Sequence, residues 1–429
     1  MYNPSVWKKR WQALADILDE MCAVYTNVYT NPTFMAVSTS LKAFGGDQFE
    51  FFLKGFENGR LLPSPNFPPE NILRATLDQV SYDITAVQQA VDQRNSNFPA
   101  MEKALFTADS LAQNALNLAV ESKLIKQTAV ITYFIKAANI RVIPYAPVAV
   151  VGVPYTCLKT SRDYLATAHE VGHYIYYHGE GIVTGLQNLL PSLPEWGAGW
   201  VEEIFADVYG CLVAGPVLGL DFQDLLIDND LEHFIGSDGH HPVDAVRPTI
   251  YTKVLKELGF VHAAEALKQR WQEVLLMRGN PQSFYPDDEF GAVPMDLAKE
   301  FVQETAVTIL NYLKKQGVPT NTTWTQDLSS PKENIDNLYQ AFADKLTDLA
   351  KTPVNKLSTE TAENKLFVLL PDGQKRNQRI IGHTQTWRDW VKTQSQTHDK
   401  SPLPPAIWIE IFTAGGWPVK GPEGSGGGG

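Results

Sequence analysis

Apolar residues recur every three or four positions over several long stretches of the chain, a period that gathers them on one face of a helix. In the first stretch, 1–20, Trp7, Trp11, Leu14, Ile17 and Leu18 follow this spacing between charged residues, with Met21 continuing it. The same period predicts two long amphipathic helices over 69–95 and 99–127, so the first hundred-odd residues read as mostly helical. The pattern then changes. Segments 128–134 and 139–156 are rich in Val, Ile and Tyr and punctuated by proline, which predicts strands. Helical spacing returns over 161–178, with Ser161 placed to cap, Asp163 in the first turn and Gly179 just past the end. Further helices are predicted over 200–212, 246–258, 295–315 and 333–351, and a turn-rich segment with Gly236, Gly239 and Pro242 lies between the first two. Beyond Thr352, strand-like runs at 366–370 and 407–413 flank a Pro371-Asp372-Gly373 turn and an aromatic stretch around Trp387 and Trp390. The pattern therefore predicts an α+β, predominantly helical protein. A helical region at 1–97 would precede a main domain at 98–351, a small α+β unit at 352–420 and a glycine-rich linker or disordered tail at 421–429.

Composition narrows the function classes. The 429 residues are 44% hydrophobic and 20% charged, an ordinary globular balance with enough apolar material for two or three compact units. A formal charge of −12 opposes binding to nucleic acid or to an anionic membrane surface. The most apolar stretch, 142–153, is too short to span a bilayer and is broken by Pro144 and Pro147. The first residues lack the uninterrupted apolar run of a signal peptide. Cys22, Cys157 and Cys211 are odd in number and form no CxxC pair, which fits a reducing compartment and makes the cytoplasm the expected location. The sequon at Asn321 has meaning only in a secreted chain.

The chemistry concentrates in 160–250. His169-Glu170-Val171-Gly172-His173 falls inside a predicted helix, where residues four apart differ by about 40° around the axis, so both imidazoles project to one side as a pair of zinc ligands. Glu170 is offset from them, within reach of a water beside the metal, as a general base must be. Chance would produce an HExxH match in about one chain in a hundred of this size. A catalytic zinc takes three protein ligands and keeps one position open, so a third ligand is expected from another element. The next predicted helix supplies Glu203 and, four residues on and on the same face, Asp207, an acid able to steady a ligand histidine.

These residues resemble the gluzincin superfamily of zinc metallopeptidases, in which an HExxH helix is followed by a glutamate ligand in an ExxAD or ExxSD setting; the matching residues are Glu203-Ile204-Phe205-Ala206-Asp207. Glu202 competes for the ligand role, but it lies five residues from Asp207, which breaks the one-face geometry and the family pattern. Asp238-Gly239-His240-His241-Pro242, with Arg247 six residues after His241, resembles the His-Pro segment of several gluzincin families. The resemblance implies a zincin-like core over 98–351, with a small mixed sheet, an active-site helix and a second glutamate-bearing helix. It further implies that His241, with His240 as runner-up, donates to the oxyanion of the tetrahedral intermediate. Arg247 would orient its segment or bind substrate.

Other conspicuous residues have plainer readings. His178 ends its helix, where a cation complements the dipole. Tyr174, Tyr176, Tyr177 and Tyr209 are packing residues with one polar end, any of which is also chemically able to stabilise an oxyanion. Cys157 and Cys211 are structural. Segment 147–153 is either an edge strand that pairs with an extended peptide or a buried core strand. The expected function is a zinc-dependent endopeptidase acting on a peptide or protein substrate through a zinc-activated water, with Glu170 as base. One alternative is an aminopeptidase or other zinc hydrolase. Another is a silent, metal-stabilised scaffold whose Trp-rich C-terminal unit supplies the partner surface, although zinc retention alone would not require Glu170.

Overall fold

The computed structural model of the protein describes residues 3–24, 31–58, 68–136, 138–142, 148–179, 181–286, 291–320 and 323–355. The chain is predominantly helical with a small mixed sheet, an α+β arrangement. The expected strands at 366–370 and 407–413, and nearly all of the expected C-terminal unit, lie outside the described residues.

The β-branched runs predicted as strands form β1 (Ala129–Ile135), β2 (Asn139–Val142) and β3 (Val148–Pro154), in the order β1-β3-β2. β1 runs parallel to β3, pairing Ile131 with Val150, and β2 runs antiparallel to it, pairing Asn139 with Gly152. The sheet is covered on both faces, and the strand period of two separates the coverings. Ala129, Ile131, Tyr133, Val148 and Val150 join the core under α1 (Pro4–Val24), α2 (Asn31–Glu57) and α3 (Pro69–Arg94). Val130, Phe134, Ala149, Val151 and Val153 join the larger core formed with α4 (Pro99–Glu121), α5 (Thr167–His178) and α7 (Val201–Ala214). Two-sided burial explains why these strands read as nearly continuous apolar runs rather than as alternating ones.

The two sheet edges are treated differently. The outer edge of β1 is closed by side chains from helices. Gln93 exchanges a pair of hydrogen bonds with Phe134, its amide donating to the carbonyl at 2.9 Å and its oxygen accepting from the amide at 2.6 Å. Asp109 accepts from the Thr132 amide at 2.8 Å, and Arg94 donates to the Thr132 carbonyl at 2.6 Å. The same Arg94 and Asp109 pair with each other at 2.7 Å with side chains only 4% and 6% exposed, tying α3, α4 and β1 together. β2, at the opposite edge, pairs with no second strand among the described residues, and α5 packs beside it. The described part of the expected strand, 148–153, is therefore not an edge strand: as β3 it is flanked on both sides and buried.

Most predicted helices are found close to their expected bounds, α3 and α12 (Met295–Lys315) among them. The helix expected over 161–178 is divided. Ser161–Tyr164 forms a 3₁₀ turn and α5 begins only at Thr167, so Ser161 does not cap it. The division lets Arg162 turn outward to Asp224, at 3.3 Å, and over the ring of Tyr339 on α13 (Asn337–Leu349). α6 (Ile182–Leu189) lies between α5 and α7; between α7 and α10 (Pro248–Glu257), α8 (Pro216–Ile227) and the short α9 (Leu231–Ile235) fill the core side, and α11 (Val261–Met277) follows. Hydrophobic periodicity did not mark α8 because it is apolar nearly all round and buried along most of its length.

Two stability predictions follow from buried charge. Removing Asp109 leaves Arg94 without its counterion, so Asp109→Ala should cost about 3–5 kcal/mol in urea unfolding; a loss below about 1 kcal/mol would show that the ion pair does not hold the sheet edge. Asp221 on α8 is buried, and burial, with Asp163 and Asp224 adding to it against the pull of Arg162 and Tyr339, pushes its carboxyl up to about 8. Folded Asp221 thus keeps its proton where the unfolded chain has released it, and its contribution, complete below about pH 4, is lost as pH rises through about 8. Asp221→Asn should remove a fall of on the order of 1–3 kcal/mol between pH 5 and pH 8; an unchanged slope in paired unfolding curves would refute that role.

Candidate metal centre

α5 and α7 cross at unusually short range because small residues face each other. A Cβ added to Gly172 would stand 2.7 Å from the Cα of Ala206, inside any normal contact. This crossing faces the HExxH turn of α5 toward the first turns of α7 and brings three side chains together. His169, His173 and Glu203 are all buried, and each offers a ligand atom within 4.8 Å of the others.

The donor geometry suits a small divalent ion. The two imidazole Nε2 atoms are 3.0 Å apart, and the Glu203 oxygens lie 3.5 Å from His169 Nε2 and 3.4 Å from His173 Nε2. Donors about 2.0–2.1 Å from a tetrahedral ion stand about 3.3 Å from one another. Each ring also has a carboxylate behind it. His169 Nδ1 faces Asp207 Oδ1 at 2.9 Å, and His173 Nδ1 faces Glu202 Oε1 at 3.0 Å. A proton held at Nδ1 leaves the Nε2 lone pairs aimed at the common point, which is what ligation requires. The residues present therefore fit a bound metal ion.

Glu203 and Asp207 remain ionised in this interior because Arg247 lies across both. Its Nη2 donates to Glu203 at 2.8 Å and to Asp207 at 2.9 Å, and its Nε donates to Asp207 at 3.0 Å. Burial alone would raise the Glu203 carboxyl, but His173, His241 and Arg247 outweigh it and hold the group well below the usual carboxylate range. For His173 the balance runs the same way: burial opposes the charged ring, while Glu203 and Glu202 bring it to about 9. Glu170, half-buried on α5, is pushed upward chiefly by burial, against the pull of His169 and His173.

His241 reaches the centre from an exposed loop. Its Nε2 lies 3.3 Å from Glu203 Oε1, while its Nδ1 meets Asp238 Oδ2 at 2.5 Å. The other oxygen of Asp238 accepts from the backbone amides of His240 and His241, both at 2.8 Å, so one carboxylate sets both the loop and the ring. Burial works against charge on His241, and Glu203 and Asp238 overcome it, bringing the ring to about 10. The loop rests on the turn before α7, where the Gly239 carbonyl occupies the space that a side chain on Gly199 would need.

The structure thus gathers His169, His173, Glu203, Asp207, His241 and Arg247 within a few bond lengths. Arg247 is buried and directed to Glu203 and Asp207, so it orients carboxylates from inside the fold. Glu202 faces the back of His173 and not the ligand cluster. Tyr209 donates to the Ala115 carbonyl, Tyr176 packs on Phe205, and His178 stacks on Tyr174 at 4.1 Å. Cys157 and Cys211 are buried thiols whose ionisation burial pushes upward, so neither is prepared to ligate as a thiolate.

Three supporting residues went unassigned in the sequence: Glu202 as a histidine partner, Asp238, and Tyr251, whose hydroxyl donates to Asp207 at 2.5 Å. Local spacing carried a trace of two of them. Asp238 lies three residues before His241, and Tyr251 lies four after Arg247. No family model matches the chain, and neither a curated protein nor a solved structure matches it.

Gly172→Ala tests the helix crossing. At an open helical position this change stabilises by about 0.5–1 kcal/mol, whereas here the new methyl meets backbone, and a loss of about 1–3 kcal/mol with weakened metal uptake is expected. A variant more stable than wild type in urea would mean that the contact does not constrain the site.

Proposed function

We propose that the protein is a zinc-dependent endopeptidase with a zincin-like core of the gluzincin kind. The observation that carries this reading is the convergence of His169 and His173, one turn apart on α5, with Glu203 of α7. Three protein donors leave a tetrahedral ion one corner for water or substrate, the pattern of catalytic and not of structural zinc sites. His169, His173 and Glu203 would hold the ion, which would supply Lewis-acid polarisation of a carbonyl and lower the pKa of water beside it.

The chain's own groups account for the proton transfers. Glu170 takes a proton as water oxygen bonds to the peptide carbonyl carbon, then delivers it to the departing amine nitrogen as the carbon–nitrogen bond breaks. Its carboxyl, raised by burial, is suited to holding that proton in transit. His241, held by Asp238, donates from Nε2 to the carbonyl oxygen as negative charge develops there. An extended substrate suits the edge of β2 beside α5, which pairs with no second strand among the described residues and would offer main-chain hydrogen bonds to a peptide irrespective of its side chains.

The test pairs metal analysis with proteolysis. The purified chain should carry about one zinc per molecule, and blocked peptides from an unbiased library should be cleaved internally. Glu170→Gln should keep the metal and lose about 10²–10⁴-fold in cleavage. Equal cleavage by the variant, or cleavage confined to peptides with a free amino terminus, would defeat the assignment.

A further inference from the structure

The two histidines of the centre are supported unequally. Behind His169, Asp207 is completely buried and also receives Arg247 and Tyr251, so its position is set by the core. Behind His173, Glu202 has a side chain 28% exposed to solvent, with no guanidinium on it among the described residues. A half-exposed carboxylate in the first turn of a helix is free to swing toward water, and its hold on an imidazole then costs side-chain entropy. The Tyr177 hydroxyl counters this by donating to Glu202 Oε2 while Oε1 faces His173 Nδ1. Tyr177 follows His173 by four residues, so α5 presents the ring and the hydroxyl on one face, one turn apart. Glu202, from α7, spans both.

We propose that Tyr177 is a positioning residue of the metal centre, fixing His173 through Glu202 so that its Nε2 faces His169 and Glu203. The inference rests on the metal-binding reading above and adds a residue to it. Tyr177 also packs edge-on against Tyr176, at 5.3 Å between ring centres. A role in packing alone would therefore be carried equally well by phenylalanine, whereas positioning needs the hydroxyl.

The experiment uses the full chain loaded with zinc and measures dissociation constants by competition with a chromophoric chelator, supported by the visible spectrum of the cobalt(II)-loaded protein. Tyr177→Phe is expected to bind zinc about tenfold more weakly, the low end for loss of a partner behind a ligand, and to shift the cobalt spectrum. Without metal its thermal midpoint should match that of the wild type. Because the hydroxyl acts through one carboxylate, Tyr177→Phe should add nothing in a Glu202→Gln background. Wild-type affinity in Tyr177→Phe, or additive losses in the double variant, would overturn the positioning role while leaving the metal site standing. A wild-type chain that takes up neither zinc nor cobalt would overturn this inference together with the reading on which it rests.

Discussion

The buried ion cluster of Arg247, Asp207 and Glu203 is the interaction on which the rest of the centre depends. Two carboxylates one helical turn apart repel each other in a low-dielectric interior, and each alone would take up a proton there. The guanidinium, buried and laid across both, keeps them charged. A charged Glu203 can be a metal ligand, and a charged Asp207 can hold the His169 proton on the far side of the ring. Arg247 comes from the start of α10, so the centre joins elements well separated along the chain.

The sheet and its helical layers frame this cluster. With α1 to α3 on one face of the sheet and α4, α5 and α7 on the other, the strands are buried from both sides. The Arg94–Asp109 pair and Gln93 occupy the outward main-chain groups of Thr132 and Phe134 in β1, which blocks a further strand from pairing there. The other edge, β2, lies beside the helix that carries His169 and His173. Among the described residues, the edge remote from the histidines is covered and the edge next to them pairs with no second strand.

Support around the metal donors grades from interior to surface. Asp207 and Arg247 are buried, Glu202 is partly exposed, and His241 and Asp238 stand on an outer loop with side chains 51% and 56% exposed. Geometry set by packing is costly to alter, whereas geometry set by hydrogen bonds at the rim can adapt to what enters. The order places the geometry hardest to alter at the buried cluster and the geometry easiest to alter at the loop beside it.

The helix-borne pairs are readable from the order of residues alone. His169 with His173 and Glu203 with Asp207 are each four residues apart, and helical periodicity alone puts both members of a pair on one face. The strand runs and most long helices were legible for the same reason, since burial on one face leaves a period in the chain. That the two faces meet, that β3 is the central strand, that a 3₁₀ turn precedes α5, and that Glu202 belongs behind His173 came from folding. Those facts depend on contacts between segments tens of residues apart, such as Gly172 on Ala206 and Arg247 on Glu203. No local period records such contacts, because they are selected by how whole surfaces fit and not by the spacing of neighbours along one strand or helix.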